Sequence, residues 1–508
     1  MTRCFSKYAC VVTLLALAAT VCERGPSNLA PEEPARPSGP AKAAIGFPSV
    51  YSTFTVDPED DSVAYRFDWG DGRVSPWSRY LPTGSTYALS HGWDTVGGYS
   101  VKAQATDRSG AISDWSVPAT VSVSEDREPK WVNDSLYPYT SMLLLNDGRE
   151  DLIYFGDDEG NINAVSPKGE IKHTYSQQCG DLFSGHPCWN AATGHIIAGN
   201  ESGELYAFTP ALEVAWHWPG NTGEQCDGLI WGTAVVNGDR VYVVREDSGL
   251  SERVYYFRDL GTEAVLMNTF AVDGDEVCDP LVLDSKGNVI FVTSWGTVGK
   301  LTPDIDSLLW AVEPGSYEIY GQAIDDEDRV YLGCGRELVV LNPDGSLAWL
   351  TSIDGPAWRP AVGANDAFIA NDEGSLFAVD RTSGEIRWST LLEHRDGGPC
   401  DEFDAPTLTE NGLLYVAAAC GEMLFCVDQT DGHIVWQCCL LDFPRSCRLD
   451  LCETEGASLT ILPNGDIMAP VWCDALAYVR GEPQALLADA PWPKWQRDLY
   501  NTGKAGGQ

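Results

Sequence analysis

Residues 366–388, reading DAFIANDEGSLFAVDRTSGEIRW, are the clearest copy of a unit that recurs towards the C-terminus. Its apolar runs are Phe368-Ile369-Ala370, then Leu376-Phe377-Ala378-Val379, then the alternating Ile386 and Trp388, and polar turns ending in Gly374 and Gly384 separate them. Short apolar or alternating runs bounded by Asn, Asp and Gly are the pattern of antiparallel strands joined by tight turns. Related units are anchored at Ile153-Tyr154, Ile196-Ile197, Val241-Tyr242, Val289-Ile290, Val330-Tyr331, Leu414-Tyr415 and Ile467-Met468. A repeat of roughly 40 to 50 residues is that of four-stranded propeller blades. The innermost strand of each unit precedes its anchor, as in Pro280-Leu281-Val282-Leu283 and Pro360-Ala361-Val362. One such sheet cannot bury both of its faces, so the units predict eight blades packed around an axis.

The segment from Ala378 to Trp388 resembles the A-x-D-x-x-T-G-x-x-x-W signature of pyrroloquinoline-quinone-like (PQQ-like) repeats, found in quinoprotein dehydrogenases and BamB-type outer-membrane assembly lipoproteins. Cys426 to Trp436 matches it with Cys in place of Ala, and looser copies end at Trp216, Trp310 and Trp349. The resemblance implies that Trp216, Trp310, Trp349, Trp388 and Trp436 dock between neighbouring blades. His173, Val265 and Ala485 stand near the expected Trp position in the first, third and last units. Trp131-Val132 reads as a strand that closes the ring by pairing into the last blade, leaving no open edge.

Formal net charge is -41, from 74 acidic and 33 basic residues, a field that repels nucleic acid and anionic lipid. Residues 1–22 read as an export signal: Arg3 and Lys7 precede the apolar run 11–19, which is too short to span a bilayer comfortably. Cys22 is a lipidation candidate, with plain cleavage nearby as the alternative. Either outcome places the mature chain outside the cytoplasm, secreted, periplasmic or on the cell surface. The proline-rich stretch 23–43 reads as a disordered tether.

Residues 44–124 form a separate small domain. Phe67-Asp68-Trp69-Gly70-Asp71-Gly72 resembles the core motif of PKD domains, and His91-Gly92-Trp93 and Gly98-Tyr99 continue that pattern. The expectation is an immunoglobulin-like sandwich in which Asp68 and Asp71 serve turn hydrogen bonds rather than a metal. The fold is therefore expected to be all-β: a small sandwich, a linker at 125–130, an eight-bladed propeller over 131–490 and an aromatic tail over 491–508 that packs against the barrel end.

Thirteen of the 16 Cys follow Cys22, in a chain whose export permits disulfides. Cys179, Cys188, Cys226, Cys278, Cys400, Cys447 and Cys452 precede inner strands, and Cys334, Cys420 and Cys473 fall between second and third strands. Both loop classes emerge on one side of a meander, so these cysteines are expected to decorate one face as disulfide staples. Cys179 with Cys188 and Cys447 with Cys452 are the local pairs expected, and Cys226 with Cys278 would tie adjacent blades. With no C-x-x-C knuckle and seven scattered His, a metal site is not expected.

Cys438-Cys439 is a vicinal pair, and in quinoprotein alcohol dehydrogenases such a disulfide lies over the quinone. Arg359, Asp279 and Asp404 beside inner strands are the residues such a site would draw on, although none aligns with a family motif. No nucleophile elbow, phosphate loop or His-Glu metalloprotease motif is present. The reading is a non-catalytic extracytoplasmic binding or scaffold protein without cofactor, using the loop face around Trp231, Asp279, Trp358, Arg359, Asp404 and Glu455 for a protein or glycan partner. The alternatives are a dehydrogenase dependent on PQQ and Ca²⁺, and a surface adhesin or glycan binder.

Overall fold

The computed structural model describes residues 28–39, 41–45, 49–124, 126–157, 159–176, 182–219, 228–230, 232–247, 251–272, 277–315, 319–393, 399–400, 403–418, 423–440, 458–471, 475–494, 497–498 and 501. The chain divides into two compact units, 1–124 and 125–508. The signal segment and Cys22 lie outside the described residues.

In the first unit Lys42–Ala44, Ala119–Ser124, Gly97–Asp107 and Val63–Asp68 form one sheet, and Ser49–Thr53 pairs with Tyr87–His91 in a second. Between them Tyr51, Phe67, Trp69, Trp93, Val101 and Val121 make the core. Asp68 accepts the Gly70 amide at 3.0 Å, and Asp71 accepts the Arg73 amide at 2.9 Å and pairs with His91 at 2.8 Å, so both carboxylates hold the turn. Part of the expected disordered tether proves to be ordered. Glu32, Ala35 and Ser38 donate their amides to the carbonyls of Val56, Phe54 and Ser52, while Pro31, Pro34 and Pro37 between them are buried. A three-residue extended helix puts one donor per turn on the same side, and proline, which has no amide to lose, fills the buried positions.

In the second unit, among the described residues, eight sheets follow one another at 143–176, 188–218, 228–271, 277–312, 319–352, 361–391, 407–439 and 460–479. These are blades one to eight. Apolar clusters join one to two, two to three, three to four, four through six, six to seven, seven to eight and eight to one, so the ring is closed. The closing strand is Trp131–Asn133, which pairs with Ala475–Val479 as the outer strand of blade eight. No helix among the described residues is long and apolar enough to cross a membrane.

A register shift between third and fourth strands recurs after Ala207, Lys300, Val340, Ala378 and Cys426. It sets Trp216, Trp310, Trp349, Trp388 and Trp436 at one equivalent position. Each donates its indole N–H to the next blade: to Asp259 Oδ1 at 2.9 Å, Pro343 O at 3.0 Å, Arg381 O at 3.1 Å, Gln429 O at 3.0 Å and Glu482 Oε1 at 3.1 Å. The rings of Trp310, Trp349 and Trp388 then lie on Gly345, Gly384 and Gly432 of those turns. A Cβ on Gly432 would stand 2.5 Å from the Trp388 ring, and φ of +75° already favours glycine there.

The same register reassigns two expected positions. In blade three Asn268, not Val265, stands opposite Tyr256, and its Nδ2 donates to Asp304 O at 3.0 Å, a small polar substitute for the indole. In blade eight Trp131, not Ala485, stands opposite Tyr478 and lies against Gly169 of blade one. The expectation missed both because counting from the turn ignores the inserted residue, and because the last blade borrows its outer strand from the start of the domain. Asp126–Arg127, expected as plain linker, pairs in parallel with Gln437 and Cys438 as a fifth strand on blade seven.

Trp131→Ala removes the closing contact and should cost about 3 kcal/mol in urea unfolding, whereas Val265→Ala, at an exposed position, should stay within about 0.5 kcal/mol. Equal losses would show that Trp131 does not carry the closure.

Candidate functional site at the channel end

The segments entering the inner strands carry equivalent residues, fixed by strand register. Three positions before the residues that pair with Ile196, Ile290, Tyr331, Phe368 and Tyr415 stand His186, Asp279, Tyr320, Trp358 and Asp404. They mark one end of the central channel. Trp231 and Glu455 lie outside the described residues, as does the side chain of Asp279, whose backbone belongs to the inner strand Val277–Leu283 of blade four.

Trp358 and Arg359 part company despite being adjacent. Trp358 is half-buried, donates its indole N–H to Asp372 and lies 5.7 Å from the Tyr320 ring. Arg359 is buried, and its charge bears on Asp404 and His186.

What lies against them is the C-terminal segment. Leu487 bridges to Thr409 and the Ala488 amide donates to Leu408 O at 2.9 Å. Leu408 donates to Pro493 O at 2.7 Å, and Val362 and Trp492 exchange amide bonds at 2.7 and 2.9 Å. Asn501 then donates to Pro187 O of blade two at 2.9 Å. A segment that begins on the inner edges of blades seven and six and ends on blade two crosses the channel. The expectation was packing against the barrel end; the contacts place the tail on the inner strands of blades six and seven, beside the residues that mark that end.

The tail sets Lys494 fully buried among these groups, donating to Asn501 Oδ1 at 3.0 Å and Asp498 O at 3.4 Å. Burial draws the Lys494 ammonium down to about 8, with Asp498 and Asp404 opposing. Burial pushes the Asp404 carboxyl up to about 7 against the pull of Arg359 and Lys494. His186 accepts the Ser141 amide on Nδ1 at 2.7 Å, so its proton sits on Nε2, and burial with the two neighbouring cations holds it down to about 3. The group is a neutral imidazole, two cations and a carboxylate that answer one another. Arrangements of this kind position a segment, and neither His186 nor Lys494 was reached from sequence.

The cysteines depart from expectation. Cys188 is a buried thiol outside any disulfide, so it does not pair with Cys179, which lies outside the described residues. The physical reason is that Cys188 begins the inner strand of blade two and points into the core with Ile197, Ala207 and Trp216. Cys334 and Cys400 are likewise buried in blade cores rather than set on a loop face. Cys226, Cys447, Cys452 and the side chain of Cys278 are outside the described residues. Cys438 and Cys439 occupy successive places in a regular strand, so they face opposite sides: Cys438 joins the core shared with blade eight and Cys439 packs towards blade six. A vicinal pair over the channel is not formed. Among the described residues no group of three or more His, Cys, Asp or Glu side chains is placed to hold a metal ion.

The folded-state pKa of Asp404, about 7, lies above the ordinary 3.8, so folding retains its proton across that window and stability falls as pH rises through it. Asp404→Asn should therefore gain on the order of 4 kcal/mol relative to the parent on passing from the acid to the neutral side of the window, read by urea titration. His186 acts in the opposite sense in both proteins and cancels. Parallel curves would show that Asp404 does not titrate there.

Residues 335–441 match the family described as outer membrane protein assembly factor BamB, with PQQ-like repeats. Over 95 residues the chain is 30% identical to the tetrathionate hydrolase of Acidithiobacillus ferrooxidans, spanning 18% of each protein. BamB from Moraxella catarrhalis superposes with a TM-score of 0.51 at 16% identity, covering 68% of this chain and 97% of that one. The PKD domain of an M14-like peptidase from Thermoplasmatales archaeon SCGC AB-540-F20 is 33% identical and aligns over 19% of this chain and 98% of its own, with a TM-score of 0.18. The second unit is thus a β-propeller that resembles BamB-type, PQQ-like repeats over residues 335–441, and it follows a β-sandwich similar to PKD domains.

Proposed function

We propose that the chain is a non-catalytic extracytoplasmic scaffold that binds a protein partner on the loop face of its propeller around Trp358. The observation that carries this reading is the tail-filled channel. Asp404, a residue a channel ligand would use, already lies under the charges of Arg359 and of Lys494 from the chain's own tail. Recognition then falls to the rim, where Trp358 and Tyr320 are accompanied by Trp295, 78% exposed in the neighbouring blade. Aromatic residues set among polar loops are what protein interfaces enrich. The description of the matching family, an assembly factor, agrees with this reading.

A quinoprotein dehydrogenase would need the quinone and Ca²⁺ held where the tail now lies, and a cysteine pair on one face of a blade rather than on two. Calorimetry of the oxidised protein with pyrroloquinoline quinone and Ca²⁺, paired with alcohol-dependent dye reduction, should give neither heat nor turnover. Stoichiometric binding with turnover would overturn the scaffold reading. A photocrosslinking residue at position 358 should capture one discrete partner in the producing cell, and the same residue at exposed Asp344, in a turn on the opposite face, should not. Equal capture at both positions would remove the loop face from the proposal.

A further inference from the structure

The fourth strand of each blade has a free outer edge unless something covers or guards it. An unguarded edge is a template for another strand, and proteins ordinarily blunt edges with charge, proline, shortness or a cover. Blade one carries Lys172 in its outer strand Ile171–Ser176, and blade six carries Arg387 in Ile386–Leu391. In blade two Val214–Trp218 runs straight into Pro219, and blade eight has only the short Trp131–Asn133. Blade seven is covered by Asp126–Arg127.

Among the described residues, blades three, four and five have no such device within the outer strand itself; Glu263 immediately precedes that of blade three, and Glu313-Pro314 follow that of blade four. Their outer strands, Ala264–Ala271, Leu308–Val312 and Leu347–Ser352, contain no charged residue and no proline, and all three expose large apolar side chains. Ala264–Ala271 is the longest of them, reading AVLMNTFA, with Val265, Leu266 and Met267 exposed in succession and Met267 half-exposed at 50%. It also has Asn268 where other blades anchor a Trp.

We propose that the outer edge of blade three is a docking edge that takes an extended, lysine- or arginine-flanked segment of another polypeptide as an added strand. The fold performs this reaction once within itself. Asp126–Arg127 adds to blade seven in parallel at Gln437 and Cys438, and the equivalent places in blade three are Thr269 and Phe270. In the internal case Arg127 secures the strand: its guanidinium lies 3.8 Å from the Trp436 ring centroid, donates to Arg480 O at 2.8 Å and pairs with Glu482. A strand added to blade three would meet Glu263 beside the edge on a chain of net charge -41, which is why basic flanks are specified; the nearby Asp304 carboxylate is already paired with Arg240 at 2.7 Å. Main-chain hydrogen bonds would supply affinity, and Leu266 and Met267 would select apolar side chains at alternate positions. This edge lies on the circumference, apart from the loop face, and does not depend on it.

The test uses the full chain and a fluorescent peptide of alternating threonine and valine with lysines at both ends. Anisotropy should rise saturably, Leu266→Lys should weaken binding at least about tenfold, and Ile171→Lys on the guarded edge of blade one should leave it within about twofold. The same peptide N-methylated at alternate residues, unable to donate along one side, should not bind. Unchanged melting curves for both variants exclude misfolding. Absence of saturation, equal loss from both substitutions, or full binding of the methylated peptide would overturn the proposal. So would concentration-dependent self-association that Leu266→Lys abolishes, because the edge would then belong to a second copy of this chain.

Discussion

The propeller depends on one contact repeated in five of its eight blades: an indole N–H on the outer strand of one blade reaching the connection of the next. A single buried or half-buried hydrogen bond of this type contributes about 1 kcal/mol, too little to hold a sheet. What makes it decisive is the stacking that comes with it. The rings of Trp310, Trp349 and Trp388 cover a turn glycine, and two residues after the latter two a threonine hydroxyl donates to that glycine's carbonyl, Thr351 to Gly384 at 2.5 Å and Thr390 to Gly432 at 2.6 Å. Trp, Thr and Gly thus fix the offset between neighbouring blades while the apolar faces supply the bulk of the stabilisation.

That mechanism explains why the repeat was legible and where it was not. The turn glycine, the Trp and the strand periodicity all sit within one unit, so residues 366–388 carry them visibly. Asn268 was misplaced because the register shift adds a residue that spacing alone does not reveal. Trp131 was legible as the closing strand yet not as the missing eighth anchor, since the residues it joins are over three hundred positions apart in the chain. The tail was the largest surprise. Its aromatic and proline content marked it as packed, but nothing local says that a lysine in it will be buried against Asp404.

The buried charges at the channel end follow from that tail. Placing Lys494 in the interior costs desolvation, which is why it and Asp404 are both driven towards their neutral forms, and a pair of this kind is weak evidence for stability. Its better attested effect is registry. The tail is joined to the blades by backbone bonds that an extended segment could also make when slipped along the inner edges. Lys494 holds Asn501 at 3.0 Å and Asn501 in turn donates to Pro187 O of blade two at 2.9 Å, a tie that admits one alignment.

Filling the channel changes where such a molecule can act. Open propellers offer a central mouth, whereas here that mouth is engaged by the chain itself, and the remaining surfaces are the loop rim and the circumference. On the circumference, the distribution of guards is informative because the outer strands otherwise share one register and one bulge. Lys172, Pro219 and Arg387 each sit at or beside a different edge, and Asp126–Arg127 covers a fourth, so edge protection in this ring is achieved by unrelated means at separate blades. Among the described residues, three consecutive blades carry neither charge nor proline within the outer strand, and that contiguous sector holds the edge proposed above for pairing. The linker strand on blade seven shows what pairing looks like there: two residues in parallel register, secured by a cation over an aromatic ring.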